Sequence, residues 1–153
     1  MTIMRHSVEI ARAPGHVLAY AGTATRWPEW HPSSLRVDGI AGPLPAGSRF
    51  EEDIHAGGRD GHLSWEVTDY LPGRRWLARA SGNHGLRLLL SYECEATDTG
   101  ARFTRTLEYR FAGLAGLYMR LLDPLLLRRR IRRESEESML RLRQMAEQAI
   151  AAN

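Results

Sequence analysis

At 153 residues, with 43% hydrophobic and 25% charged side chains, the chain has the size of one domain and the composition of an ordinary globular protein. That excludes a disordered chain and allows a single substantial core. All 21 basic residues are arginine, but the net charge is only +3, and glutamate balances much of the arginine locally, so bulk charge does not require nucleic acid. The single cysteine, Cys94, excludes an internal disulfide and any cysteine-rich zinc site.

In chain order, Met4, His6, Val8 and Ile10 alternate with Arg5, Ser7 and Glu9, the pattern of a half-buried strand. Pro14-Gly15 ends it and opens a short helix through Val17, Leu18 and Tyr20, and a second short helix or turn follows over Arg26 to Pro32. Leu35 to Ile40 reads as a strand, residues 42 to 47 as a Gly/Pro-rich loop, and the next stretch as four or five strands. Their turns are Gly57-Gly58, Pro72-Gly73, Gly82 to Gly85 and Asp98 to Gly100. Strands joined by short turns are antiparallel. The N-terminus has no apolar run of signal-peptide length, and Leu114 to Leu127 is interrupted by Arg120, Asp123 and Pro124, so the expected location is the cytoplasm.

One register separates apolar from polar side chains across these strands. It pairs Ile54 with Leu63, Glu52 with Trp65 and Phe50 with Val67; then Val67 with Trp76, Trp65 with Ala78 and Leu63 with Ala80. Next come Ala80 with Leu86, Ala78 with Leu88 and Trp76 with Leu90; and finally Cys94 with Phe103, Tyr92 with Arg105, Leu90 with Leu107 and Leu88 with Tyr109. Three residues on the apolar face do not belong there by type: Glu52, Arg105 and, on the first strand, His6. A charge among buried aromatics must be paired, hydrated or in contact with a ligand. Two readings follow, a buried polar cluster or a cavity anchored by Glu52, Tyr92 and Arg105.

From Gly113 to Asn153 the chain reads as a long amphipathic helix with a short helical lead-in. Asp123-Pro124 is its start signal. Leu127, Ile131, Ser135, Ser138, Leu142, Met145 and Ala149 recur every three to four residues as one stripe. The small Ser135 and Ser138 sit mid-stripe, where the sheet approaches closely or a space is left. Arg128, Arg129, Arg130, Arg132 and Arg133 crowd the first turns against the helix dipole, with Arg130–Glu134, Arg133–Glu137 and Glu137–Arg141 as offsetting pairs.

The order strand, Ala13-Pro14, Trp27-Pro28-Glu29-Trp30-His31-Pro32, then Trp65 to Arg74 and Gly100 to Tyr109 resembles the START-like helix-grip (SRPBCC) superfamily, in its polyketide cyclase/dehydrase and lipid-transport type. The resemblance spans nearly the whole chain and implies one α+β helix-grip domain over residues 1–153. Its sheet would be curved and antiparallel, of about seven strands, wrapped around the long C-terminal helix, with two short helices after the first strand. It also implies a cavity for an apolar or aromatic small molecule such as a lipid or polyketide, with Trp30 and His31 near its mouth. It carries no shared catalytic motif.

The ligand-binding residues expected of such a cavity are Trp30, Phe50, Glu52, Trp65, Trp76, Ala78, Leu88, Tyr92, Arg105, Tyr109, Ser135, Ser138 and Leu142. The alternative is a cyclase/aromatase-type enzyme with Glu52 and His6 or His31 as acid and base and Arg105 stabilising an enolate. A third reading is a membrane- or protein-docking module through the Leu/Arg-rich segment 114–133. No metal or cofactor is expected: His55 and His62 are cross-strand neighbours without a third ligand, and phosphate-loop and zinc-protease motifs are lacking. The expected partner is a hydrophobic small molecule, not nucleic acid, with peripheral membrane contact under the third reading and the chain as a monomer or homodimer.

Overall fold

Alternation of apolar and polar side chains shapes the computed structural model, which describes residues 1–114, 117 and 124–151, except for the side chains of 124 and 149–151. Seven strands form one antiparallel sheet: β1 (Thr2–Ile10), β2 (Ser34–Asp38), β3 (Arg49–Ala56), β4 (Arg59–Leu71), β5 (Arg75–Gly82), β6 (Leu86–Thr97) and β7 (Gly100–Phe111). Their spatial order is β1-β7-β6-β5-β4-β3-β2. Two short helices, α1 (Pro14–Ala21) and α2 (Trp27–Trp30), follow β1, and the long helix α3 (Pro124–Ala151) covers the apolar face. This is the helix-grip architecture, with each helix started by a proline in its first turn.

The face assignment holds throughout, and the β6–β7 register is as expected, with Tyr92 opposite Arg105 and Leu90 opposite Leu107. The other three hairpins keep the expected faces but slide by two residues. Phe50 opposes Trp65, Trp65 opposes Ala80, and Ala80 opposes Leu88. Turn geometry is the reason. Gly57 and Gly58 both have positive φ (60° and 81°), so they close a two-residue hairpin directly between Ala56 and Arg59. The expected pairing would have needed a four-residue loop. Around Pro72-Gly73 the expected register implied a loop over residues 70–73, whereas pairing continues to Leu71 and Arg75, the chain turns over residues 72–74, and a bulge between Val67 and Asp69 restores the faces.

The stripe of α3 is buried as its spacing predicts: Ser135, Ser138, Met139, Leu142 and Ala146 are all in the core. The helix packs on β1, α1 and α2. The aromatic centre of the core is Trp27, whose ring lies edge-on to Phe50 and Trp65 at 5.4 Å and to Trp76 at 5.9 Å. On the outer face His55 and His62 are not cross-strand partners. His55 bonds Asp60 at 2.7 Å, and His62 bonds Asp53 at 2.7 Å and Glu51 at 2.8 Å. Among the described residues no group of His, Cys, Asp and Glu could hold a metal ion. No helix among them is long and apolar enough to cross a membrane.

Candidate functional site

Between the first turns of α3 and strands β3, β4, β6 and β7 the two layers leave a cavity of about 290 Å³. Its volume is at the small end of the range for small-molecule sites. The body is apolar, formed by Leu63, Leu88, Leu90 and Leu107 from the sheet and Leu127 and Ile131 from the helix. Glu52, Tyr92, Arg105, His31 and Ser135 make one part of its wall polar, and the exposed Arg59, Asp60, His62, Asn83 and His84 are also among its lining residues.

Strand alternation places three of these. Glu52, Tyr92 and Arg105 occupy inward positions of β3, β6 and β7 and are 5%, 0% and 5% exposed. The Glu52 carboxylate accepts a 2.8 Å bond from Trp65 Nε1. Burial pushes its carboxyl up to about 7, against the opposing pull of Ser34, Trp65 and the Arg105 charge. Arg105 donates from Nη1 to Ser135 Oγ at 2.5 Å and from Nη2 to His31 Nε2 at 3.0 Å. Since a guanidinium only donates, His31 accepts at Nε2 and is held neutral. Burial first and the Arg105 charge second keep its pKa well below the ordinary value. Arg105 Nε is buried without a hydrogen-bond partner, and the Tyr92 hydroxyl is buried with none apart from its interaction with the Arg105 guanidinium. Burial raises the Tyr92 pKa above its ordinary value, against the pull of the Arg105 charge.

Of the residues expected at the site, Glu52, Trp65, Leu88, Tyr92, Arg105, Tyr109, Ser135 and His31 line this cavity. The others do not. Phe50, Trp76, Ala78 and Leu142 are core residues outside the lining. Trp30 is 0% exposed and packs on His31 and Tyr92 rather than standing at a mouth. Ser138 turns its hydroxyl back to the Glu134 carbonyl at 2.7 Å, filling the groove between turns instead of lining a space. His6 lies apart from the lining, 3.8 Å from Glu136, so the imidazole–Glu52 acid/base pair is not assembled from that side.

Sequence reasoning missed two lining residues of consequence. Glu134, read as a surface partner of Arg130, instead accepts from Ser33 Oγ at 3.0 Å and from the Gly57 backbone N–H at 3.3 Å. It ties α3 to the start of β2 and to the β3–β4 turn. Its position one residue before Ser135 on the stripe was the available signal. Trp27 also lines the cavity, its indole N–H held by the Ala21 carbonyl at 2.8 Å. Cys94 is buried and its thiol is pushed up to about 12 by burial, as a small core residue would be.

A sequence profile described as polyketide cyclase / dehydrase and lipid transport matches residues 1–147. No curated protein matches the chain. Among solved structures, the chain is similar to the Zhui aromatase/cyclase from Streptomyces sp. R1128, at 15% identity and a TM-score of 0.76, covering 97% of this chain and 95% of that one. A START superfamily protein from Mycobacterium smegmatis matches at 12% identity and a TM-score of 0.68, over 98% and 97% of the two chains. The di-domain ARO/CYC StfQ from the steffimycin biosynthetic pathway matches at 17% identity and 0.76, over 97% of this chain and 52% of that one. At these identities the likeness is one of fold.

Proposed function

We propose that this chain, which belongs to the polyketide cyclase/dehydrase and lipid-transport family, binds an apolar or aromatic small molecule between its sheet and its C-terminal helix. The observation that carries this reading is the cavity of about 290 Å³, apolar over most of its wall and polar where Glu52, Tyr92 and Arg105 meet. A dry wall supplies affinity through burial of apolar surface, at roughly 25 cal/mol per Å². The polar group fixes orientation. Trp65, Leu88, Tyr109 and Ser135 complete the contact set, and Trp30, Phe50, Trp76, Ala78, Ser138 and Leu142 support the wall from behind. In the cyclase/aromatase alternative, Glu52 alone supplies acid/base chemistry, because the His31 lone pair is engaged by Arg105 and His6 stands outside.

Native mass spectrometry of freshly purified protein, followed by organic extraction, tests the reading. A stoichiometric apolar passenger is the expected result, together with fluorescence gain from an apolar dye. Leu88→Trp, which places a larger side chain in the apolar body, should remove both while leaving far-UV circular dichroism unchanged. A clean mass with no dye response in the unaltered protein would sink it.

A second reading concerns the surface beside the cavity. Leu114, Leu117 and Leu125 are 87%, 60% and 64% exposed, and Arg128, Arg129, Arg130, Arg132 and Arg133 are exposed on the turns that also carry the lining residues Leu127 and Ile131. Apolar and cationic side chains together suit an anionic membrane surface from which a ligand would be taken up. Tyr118, Met119, Leu121 and Leu122, part of the same expectation, lie outside the described residues.

A further inference from the structure

Resting on the cavity as a ligand site, the geometry points to a ligand whose apolar body ends in a carboxylate, held by the Arg105 guanidinium and the Tyr92 hydroxyl, with Glu52 taking up a proton as it binds. Arg105 carries a permanent charge in a position 5% exposed. Among the described residues its direct partners are neutral, the Ser135 hydroxyl and the His31 ring, and it forms no ion pair with a carboxylate. Two of its five N–H donors are thereby used. Nε is among those left, and the Tyr92 hydroxyl, directly across from Arg105 on β6, interacts with that guanidinium alone and has no other hydrogen-bond partner. A planar acceptor with one negative charge matches a single guanidinium in charge and shape. A doubly charged phosphate would leave half its charge without a buried counter-ion, since Arg59, the other arginine of the lining, is exposed.

The proton follows from what else faces Glu52. Ser34 approaches from β2, Trp65 from β4, Tyr92 from β6 and Arg105 from β7. His31 and, from α3, Glu134 line the same cavity, Glu134 being bonded to Ser33 and Gly57. Asp53, next on β3, faces outward to His62. Arg59, Asp60, His62 and His84 also line the cavity but are exposed, and Glu134 is only half-buried. Arg105 is thus the one buried cation for Glu52 and the ligand carboxylate, and the two cannot both stay ionised beside it. Glu52, already pushed up to about 7 by burial, is the one that protonates. Its carboxylate takes a proton from solvent and becomes the acid, while the ligand remains the anion and no ligand bond changes.

Isothermal titration with decanoate and 1-decanol, each in two buffers of different ionisation enthalpy, tests this. Decanoate should bind at least about tenfold more tightly than 1-decanol at pH 6. Its affinity should then weaken by up to about tenfold per pH unit above pH 7, with proton uptake approaching one at pH 8. Glu52→Gln should abolish the uptake and the pH dependence but keep the preference for decanoate. Arg105→Gln should lose the preference while still binding 1-decanol, and Arg105→Lys, which keeps the charge, should retain it. Equal affinity for decanoate and 1-decanol in the unaltered protein would overturn the carboxylate while leaving the cavity reading intact. Decanoate binding at pH 8 without proton uptake would overturn the role of Glu52. If neither probe binds and an apolar dye is silent, the cavity reading fails as well.

Discussion

Glu52 carries opposing demands in a single side chain. Its inward position on β3 is required by the alternation of Phe50, Glu52 and Ile54, yet that position removes a carboxylate from water. With a folded value of about 7 against an ordinary 4.5, the folded state holds the proton more tightly than the unfolded chain. The stability this gives is fully present below pH 4.5 and is lost as pH rises through about 7, by at most on the order of 3 kcal/mol. Glu52→Gln can still accept from Trp65 but has no charge to desolvate. Urea unfolding should therefore show the two proteins nearly equal at pH 4.5 and the variant more stable at pH 7.5. A variant no more stable at pH 7.5 would show that Glu52 is compensated in the unliganded fold. At this scale Glu52, Tyr92 and Arg105 were legible as polar residues on an apolar face. The partners of Arg105 were not, because Ser135 and His31 come from elements 30 and 74 residues away.

Helix α3 is divided by what it faces. Its first turns present Leu127, Ile131, Glu134 and Ser135 to the cavity, while Ser138, Met139, Leu142 and Ala146 are packed in the core. The stripe is continuous in sequence, so spacing alone could not say where the gap between helix and sheet closes. Ser138 decides the point. It is 0% exposed and bonded to its own helix, so Ser138→Leu should over-pack a filled site and cost about 1–3 kcal/mol without lowering dye affinity. Loss of dye binding at unchanged stability would place the cavity one turn further along α3. Turns behave similarly: Gly57-Gly58 was recognisable as a turn, but its two-residue closure depended on both glycines adopting positive φ.

For the whole molecule, a net charge of +3 is too small to specify a partner, and the distribution of charge matters more. Five arginines, Arg128 to Arg130 with Arg132 and Arg133, stand on the first turns of α3 after the exposed Leu125, and Leu114 and Leu117, earlier in the chain, are exposed as well. Vesicles containing anionic lipid should retain the protein in a sedimentation assay at low salt and release it progressively toward 0.5 M salt, as charge is screened. Retention that ignores both lipid charge and salt would argue against docking through these arginines. By itself the sequence determined the α+β fold class, the inward and outward faces of the strands, the amphipathic helix that must cover one of them, and the polar residues out of place there. These are local facts, set by the periods of strand and helix and by turn chemistry. Only the tertiary structure decided the register of three hairpins, the buried packing role of Trp30, the exclusion of His6 and Ser138 from the cavity, and the tie made by Glu134. Each of these depends on how far apart two packed layers come to rest, a distance that no single segment encodes.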